Sequence, residues 1–326
     1  CRGGCTDSIG EYTNSHVALT HSGRFDWGTS ETFVQRERSE NQSRDIEITN
    51  TTAKTSAVIP LGMHMLTVGA SWEEESLEDG TTNQISDRTA VENSQWALFM
   101  EDEWMLTDAW ALTGGLRLDD DDNYGSHLSP RLYSVWNMTP EWTLKGGVSR
   151  GYKTPSLNDL HSGINGFGGQ GTTVNIGSPD LEPEKSTNYE IGAIYDNQSG
   201  FSAGATVFYN RFTDRIADAA DIPNCQFVDS NGNTPNAGLA NCLSIGNFTQ
   251  QESFGSDPTY RVNIDDAVTQ GVEASLSAPL SDTLALTASY TFTDSEQKSG
   301  EYAGEPLTQL PRHQVSASLD WDVNAR

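Results

Sequence analysis

The chain has 326 residues, and its 19 Lys and Arg against 46 Asp and Glu give a net charge of −27. This acidity argues against nucleic acid as a partner, because binding a phosphate backbone needs clustered cations. No apolar run reaches the roughly 18 to 20 residues of a membrane-spanning helix, which excludes a helical membrane protein. Because the sequence opens at Cys1 with neither an initiator Met nor a signal peptide, we expect a segment of a longer protein.

Apolar and polar residues alternate with a period of two along much of the chain. In one stretch Leu286 lies on an apolar face that also holds Ala288, whereas Thr287 lies on a polar face. This pattern predicts β-strands with two different faces. The clearest stretches are residues 201–210, 272–278, 283–293 and 314–323.

The connections between the predicted strands alternate between short and long. Short turns are predicted at Trp27–Gly28, Pro60–Met63, Thr107–Ala109, Thr139–Glu141, Asn197–Gly200 and Pro279–Asp282. Longer polar loops are predicted around Arg38–Asp45, Ser76–Asn93, Asp119–His127, Lys153–Lys185, Asp214–Asp257 and Asp294–Thr308. Short turns at one rim and long loops at the other indicate an all-β, transmembrane antiparallel β-barrel rather than a Greek-key sandwich.

Aromatic residues near the strand ends support a barrel in a membrane. Trp110, Trp142 and Phe201 follow short turns, and Tyr209, Tyr290 and Phe292 stand near the opposite strand ends, which predicts two aromatic girdles. We count about thirteen strands, an odd number that predicts an incomplete barrel. The polar inner face predicts a wide lumen that is wet or filled by a polar plug.

Several motifs resemble those of the TonB-dependent outer-membrane receptors. These are Gly151–Leu157, Gly177–Ser186 with Tyr189–Gly192, Tyr124–Leu132, Thr269–Glu273 and Leu310–His313. The chain resembles most closely the catecholate siderophore receptors, among them the colicin I receptor and the ferric enterobactin receptor. Physical reasons exist for some of these residues: Pro155 and Pro183 end strand pairing, and Gly271 suits a bend or a close backbone approach.

The resemblance implies that residues 1–326 form part of a barrel of about 22 strands. It implies the cell outer membrane of a Gram-negative bacterium and the import of a ferric siderophore as ligand, with no cofactor. The implied partners are TonB, acting through an N-terminal plug domain absent from this chain, outer-membrane lipid and lipopolysaccharide, and a colicin or phage. The chain also lacks the terminal aromatic strand end that is usual in outer-membrane proteins.

The four cysteines form two pairs in polar stretches, Cys1 with Cys5 and Cys225 with Cys242. We expect loop disulfides made outside the cytosol, with metal ligation as the rival interpretation. No His lies near the second pair, and two cysteines alone do not complete a four-ligand site.

The candidate ligand-binding residues are cations, aromatics and amides of the loops. An anionic ligand with aromatic rings calls for Arg or Lys near Tyr or Phe. The glycine-rich stretch around residues 163–171 lacks the strand and helix of a phosphate loop and is interpreted as a flexible ligand-facing loop. The candidates are Arg38, Arg44, Tyr124, His127, Lys153, Phe167, Gln170, Tyr260 and Arg261.

Other chemistry is poorly supported by the sequence. Asp119–Asp122 could hold calcium, but the spacing is not that of an EF-hand, and a solvated loop or loose bridging to lipopolysaccharide are alternatives. No HExxH, nucleophile elbow or Ser/His/Asp constellation is evident, so we predict no catalytic metal and no enzyme. A passive porin, an adhesin, or a receptor for haem, cobalamin or carbohydrate remain rival functions.

Overall fold

The computed structural model describes residues 11–42, 45–79, 90–160, 164–168, 173–218, 223–229, 231–240, 242, 259–300 and 302–323. No helix in these ranges is long and apolar enough to cross a membrane. The described elements are one short helix, α1 (Leu157–Leu160), and strands β1 (Tyr12–Phe25), β2 (Gly28–Asn41), β3 (Ile46–Leu61), β4 (His64–Asp79), β5 (Ala90–Thr107), β6 (Trp110–Asp121), β7 (Gly125–Asn137), β8 (Trp142–Lys153), β9 (Ile164–Gly168), β10 (Thr173–Ile176), β11 (Glu184–Asp196), β12 (Ser202–Asp218), β13 (Thr259–Ser281), β14 (Leu284–Gln297) and β15 (His313–Trp321).

The strands form one antiparallel meander in which each wall strand pairs with its neighbours in sequence. β9 and β10 make a hairpin within the loop after β8, in which two residues of β10 pair in parallel with the start of β13, and this leaves thirteen of the 15 strands in the wall. This confirms the predicted number of strands. In the described part of the chain, β1 pairs with β2 and β15 with β14, so these two strands are the edges of the wall.

The two faces of the wall differ as the alternation predicts. In register across four strands, Val207 lies beside Ile191 and Val272, and Val272 lies beside Phe292. We call this apolar side the outer face. Its residues are well exposed although apolar: Ile191 keeps 65% and Val315 76% of its surface accessible. A continuous band of this kind is suited to lipid.

Aromatic residues mark both ends of the outer face. At the short-turn rim, the rings of Trp110 and Trp136 lie 6.4 Å apart, and Trp142 packs 5.0 Å from Tyr195. Toward the long-loop rim, Tyr189 lies 6.3 Å from Tyr209. The structure therefore confirms the two predicted girdles, which sit where the lipid headgroups meet the hydrocarbon.

Two of the connections predicted to be long are tight. β2 continues through Asn41 and β3 begins at Ile46, so Arg38 lies in a strand instead of a loop. Likewise β6 runs through Asp121 and β7 starts at Gly125. The charged residues that the sequence pattern placed in these two loops belong instead to strand ends that extend beyond the membrane. Hydrogen-bonded carboxylates are tolerated in a sheet at such positions.

Described parts of two long loops fold back onto the inner face. After β8, Leu157 of α1 packs on Leu77 of β4 and Val91 of β5. After β14, Leu307 packs on Ile264 and Ala267 of β13. These two small buried clusters anchor the described parts of the two loops on the inner face of the wall.

Gly271 is a position of close backbone approach, as predicted. A Cβ there would lie 1.9 Å from the carbonyl oxygen of Phe292 and 2.8 Å from the ring of Phe208. Only glycine fits at this contact between β12, β13 and β14.

Candidate functional site

A cavity of about 1070 Å³ lies on the inner face near the long-loop rim. Its wall comes from β7, β8 and β11 to β14 together with the loop after β14. Three of its lining residues are cationic and three are glutamates, although the chain as a whole carries a charge of −27. The charged and aromatic lining residues are Arg131, Lys153, Arg215, Glu184, Glu190, Glu273, Tyr133, Phe208 and Phe212.

Arg215 is the cation best placed for a ligand in this cavity. Its guanidinium lies over the ring of Phe212, 5.6 Å from the ring centre. Its Nη1 is buried and has no hydrogen-bond partner among the described residues. A buried donor without a partner is costly, so this N–H is available to donate a hydrogen bond to an anionic ligand.

The backbone at Asp214 explains how Phe212 and Arg215 reach the same cavity. Residues three apart in a regular strand point to opposite faces. Asp214, however, has a left-handed conformation with φ 57°. This interrupts the alternation in β12, so both side chains line the cavity. Sequence reasoning missed Arg215 because no pattern in the sequence signals this local twist.

The other two cations of the cavity already have partners. Arg131 donates to Glu101 at 3.2 Å, and its guanidinium lies 5.3 Å from the ring centre of Tyr133. Lys153 ends β8 with a side chain that is 77% exposed, 3.7 Å from Glu184. Exposed ion pairs of this kind are weak and can exchange a carboxylate for a ligand at little cost. Of the sequence candidates that the structure describes, Lys153 is the one that lines the cavity.

A second group of aromatic side chains includes two more predicted candidates. The ring of His127 stacks on Tyr152 with centroids 4.2 Å apart. The hydroxyl oxygen of Tyr152 is buried without a hydrogen-bond partner among the described residues. Tyr124 lies in the turn before β7, where burial, helped by the charges of Asp121 and Glu182, raises its pKa to about 12. Its hydroxyl therefore stays protonated and remains a hydrogen-bond donor.

The acidic stretch proposed for calcium is occupied by protein donors. Asp119 is buried and accepts from Gln95 at 2.9 Å and from Arg117 at 2.8 Å. Asp121 is also buried and accepts from Asn93 at 2.8 Å. Within the described ranges, no group of three or more His, Cys, Asp or Glu is arranged to hold a metal ion. Asp121 also accepts from the backbone N–H groups of Asn123 and Tyr124, which stabilises the tight β6–β7 connection.

The loop between β8 and β11 connects opposite parts of the wall. Its α1 end packs on β4 and β5. Near its other end, the side-chain amide of Asn263 donates to the carbonyl of Glu182 at 2.8 Å. Arg261 lies 3.5 Å from Asp159, and Ile176 of β10 pairs with Tyr260. Two predicted candidates, Tyr260 and Arg261, thus hold this loop.

Arg38 lies on the outer face, away from the cavity. Its register partner Thr49 stands on the same side of the wall as Trp72, and its guanidinium is 2.8 Å from Glu47 and 3.5 Å from Glu40. Of the remaining candidates, Phe167 belongs to β9, and Arg44 and Gln170 lie outside the described residues. Ligand contact by any of these residues stays a prediction.

One of the two predicted disulfides is present. Cys225 and Cys242 are bonded with their Cα atoms 5.1 Å apart. Cys1 and Cys5 lie outside the described residues. The bond closes a loop beyond β12, in agreement with an extracytosolic location.

The sequence and fold match known outer-membrane proteins. The family described as "TonB dependent receptor-like, beta-barrel" matches residues 6–326. An iron-regulated outer membrane virulence protein of Vibrio cholerae is 45% identical over 329 residues, covering 100% of this chain and 47% of the relative. The ferric enterobactin receptor of Pseudomonas aeruginosa is 28% identical, covering 94% of this chain and 44% of that receptor.

Solved structures agree with this match. A crystal structure of a variant of the ferric enterobactin receptor PfeA from Pseudomonas aeruginosa superposes with a TM-score of 0.74 at 25% identity, covering 96% of this chain and 47% of that one. The siderophore receptor PirA from the same organism gives a TM-score of 0.75 at 24% identity and covers 96% of this chain and 53% of that one, which shows the fold. The chain spans about half the length of the curated relatives it matches.

Proposed function

This chain belongs to the TonB-dependent receptor β-barrel family, and we propose that the protein it is part of imports a ferric siderophore, most specifically a ferric catecholate. The family consists of outer-membrane transport receptors and not of enzymes, and the wall described above lies in the outer membrane. In this proposal TonB supplies the energy through a plug domain elsewhere in the protein, and a colicin or phage is a further partner at the long loops.

The position of Arg215 over Phe212, with a buried Nη1 that has no hydrogen-bond partner among the described residues, is the observation that carries the proposal. A ferric catecholate is anionic and presents aromatic rings. Arginine offers such a ligand both hydrogen bonds and a planar cation, and the neighbouring ring offers a stacking surface. The cavity joins these two groups to Arg131, Tyr133 and Lys153.

The acidic chain makes local cations decisive. An anionic ligand approaching a surface of charge −27 is repelled at long range. At physiological salt this repulsion is screened beyond about 8 to 10 Å, so capture depends on the few cations within that distance. The relatives support the same ligand class, since three of them are named as receptors for ferric enterobactin.

Ligand binding to the complete receptor tests this proposal. Tryptophan fluorescence quenching would be measured with ferric catecholate, hydroxamate and citrate complexes and with haem and cobalamin. We expect tight binding of a catecholate, and a loss of about tenfold or more in affinity for Arg215→Gln, because a hydrogen bond to a charged group contributes about 1.5 to 3 kcal/mol. Arg36→Gln is the matched control, because this arginine is exposed on the outer face of β2. The affinity of this variant for the catecholate should equal that of the wild type.

Each rival function predicts a different result. Binding of haem or cobalamin alone would overturn the siderophore assignment and leave the barrel assignment intact. Uptake of radiolabelled iron that persists in cells lacking TonB would support a passive porin instead. Catecholate binding that is equal in wild type and Arg215→Gln would place the ligand outside the cavity described here.

A further inference from the structure

We propose that Arg150, Thr187 and Arg211 form a binding site on the outer wall for a phosphate group of lipopolysaccharide. The three residues lie in one row across the adjacent strands β8, β11 and β12, since Thr187 is the register partner of both arginines. This site is separate from the cavity, which lies on the opposite face of the wall, and it does not depend on which ligand the receptor imports.

The row lies at the height of lipid headgroups. Two residues below Thr187 along β11 is Tyr189, which packs beside Tyr209 in the aromatic row of the outer face. Below these rings the outer face is apolar, with Ile191 and Val207 both more than half exposed. Aromatic rings of this kind mark the boundary between hydrocarbon and headgroups, so the arginines stand on the headgroup side of it.

The geometry suits a phosphate. The two arginines are separated by two strand spacings, about 10 Å, and the hydroxyl of Thr187 lies between them. Both arginine residues are exposed. Guanidinium groups bind phosphate oxygens with paired hydrogen bonds, and a hydroxyl can donate a further one. A row of this width can therefore hold one phosphate from both sides.

The local charge of this site differs from that of the rest of the outer face. Arg211 is paired with Asp266 at 2.9 Å, and nearby Lys185 with Asp214 at 2.9 Å. Arg150 takes part in none of the ion pairs found among the described residues, so the group carries one uncompensated positive charge. This local excess is unusual for a chain of charge −27. The outer leaflet offers phosphorylated glycolipid as the complementary anion.

The outer face of strands β2 to β4 can be compared with the proposed site. Arg36 and Arg38 also stand on the outer face, above the level of Trp72. They share that face with Glu40, Glu47, Glu74 and Glu78, so this part of the wall is acidic. Lipopolysaccharide phosphates could approach it only through bridging divalent cations, whereas the row on β8, β11 and β12 needs none.

The test is binding of purified lipopolysaccharide to the complete receptor in detergent, measured with EDTA present to remove divalent cations. We expect the Arg150→Gln/Arg211→Gln variant to bind at least tenfold more weakly than wild type. The Arg36→Gln/Arg38→Gln control, which removes the same charge from the same face, should change binding less than twofold. Dephosphorylated lipopolysaccharide should bind wild type weakly and should no longer distinguish the first variant from wild type.

A second variant covers the case in which the double substitution fails to fold. Thr187→Glu keeps both arginines and places a carboxylate between them, and it should weaken binding of the phosphorylated lipid by a similar factor. Three results would overturn the proposal. Wild type would lose lipopolysaccharide binding in EDTA, the two double-arginine variants would lose binding equally, or Thr187→Glu would leave binding unchanged.

Discussion

Leu286→Arg tests the assignment of the outer face. Leu286 of β14 lies four residues from Tyr290, which at about 3.4 Å per residue and a strand tilt of about 40° places it roughly 10 Å below the aromatic level. The apolar band of such barrels is about 25 Å tall, and Leu286 lies two residues into β14 from the short turn, inside the band but nearer to the short-turn rim than to the middle. A lipid-facing arginine costs about 2 to 4 kcal/mol at the midplane and less toward the rims, so Leu286→Arg should cost about 2 kcal/mol in the free energy of unfolding.

Thr287→Arg is the matched control, because it adds the same side chain one residue away on the inner face. Thr287 lies beside Ser277 and Ser318 in register, where the side chain enters the polar lumen, and we expect a cost below about 1 kcal/mol. The assay is urea unfolding of the complete barrel refolded into lipid vesicles, followed by heat-modifiable migration. Equal destabilisation by the two substitutions would refute the assignment of the faces.

Three further predictions concern single contacts. Cys225 and Cys242 are 17 residues apart, so reduction should remove about 3 kcal/mol of loop-closure stabilisation in the entropy model, and mass spectrometry of the unreduced protein should find the two joined. Gly271→Ala should cost about 1 to 3 kcal/mol in the same urea assay, because its Cβ would meet the Phe292 carbonyl oxygen. The pKa of Asp229 is lowered by hydrogen bonds from the Asn233 backbone and side chain, so these bonds stabilise the loop above about pH 4 and are lost as the pH falls through the lowered value. Pepsin cleavage of residues 223–242 should therefore accelerate below that pH, and Asp229→Asn should abolish the change.

The wall was predictable because its strands obey one simple rule. Alternation assigned Leu286 to the outer face and Thr287 to the inner face, and the register pairs confirm both. The short turns and both aromatic girdles were also predicted correctly, because a turn or a girdle residue is fixed by a few neighbouring positions. In a meander, each strand pairs with the next one, so local patterns determine the order of the whole sheet.

The candidate site was less predictable because it depends on exceptions to alternation. Arg215 reaches the cavity because Asp214 has a left-handed backbone conformation, which the sequence pattern does not predict. Arg38 was selected as a loop cation, but β2 extends past it and turns its side chain to the outer face. Loop length was overestimated where hydrogen-bonded carboxylates such as Asp121 continue a strand beyond the membrane.

Strand β12 shows how one segment serves several environments. Val207 faces lipid, Tyr209 marks the interface, and two residues further on Arg211 reaches the headgroup level on the same face. A strict period of two would keep Phe212 and Arg215 on opposite faces. The single left-handed residue between them brings both to the cavity. The proposed change from lipid recognition to ligand recognition takes place within four residues at the end of this strand, so substitutions at Arg211 and Arg215 should affect different ligands independently.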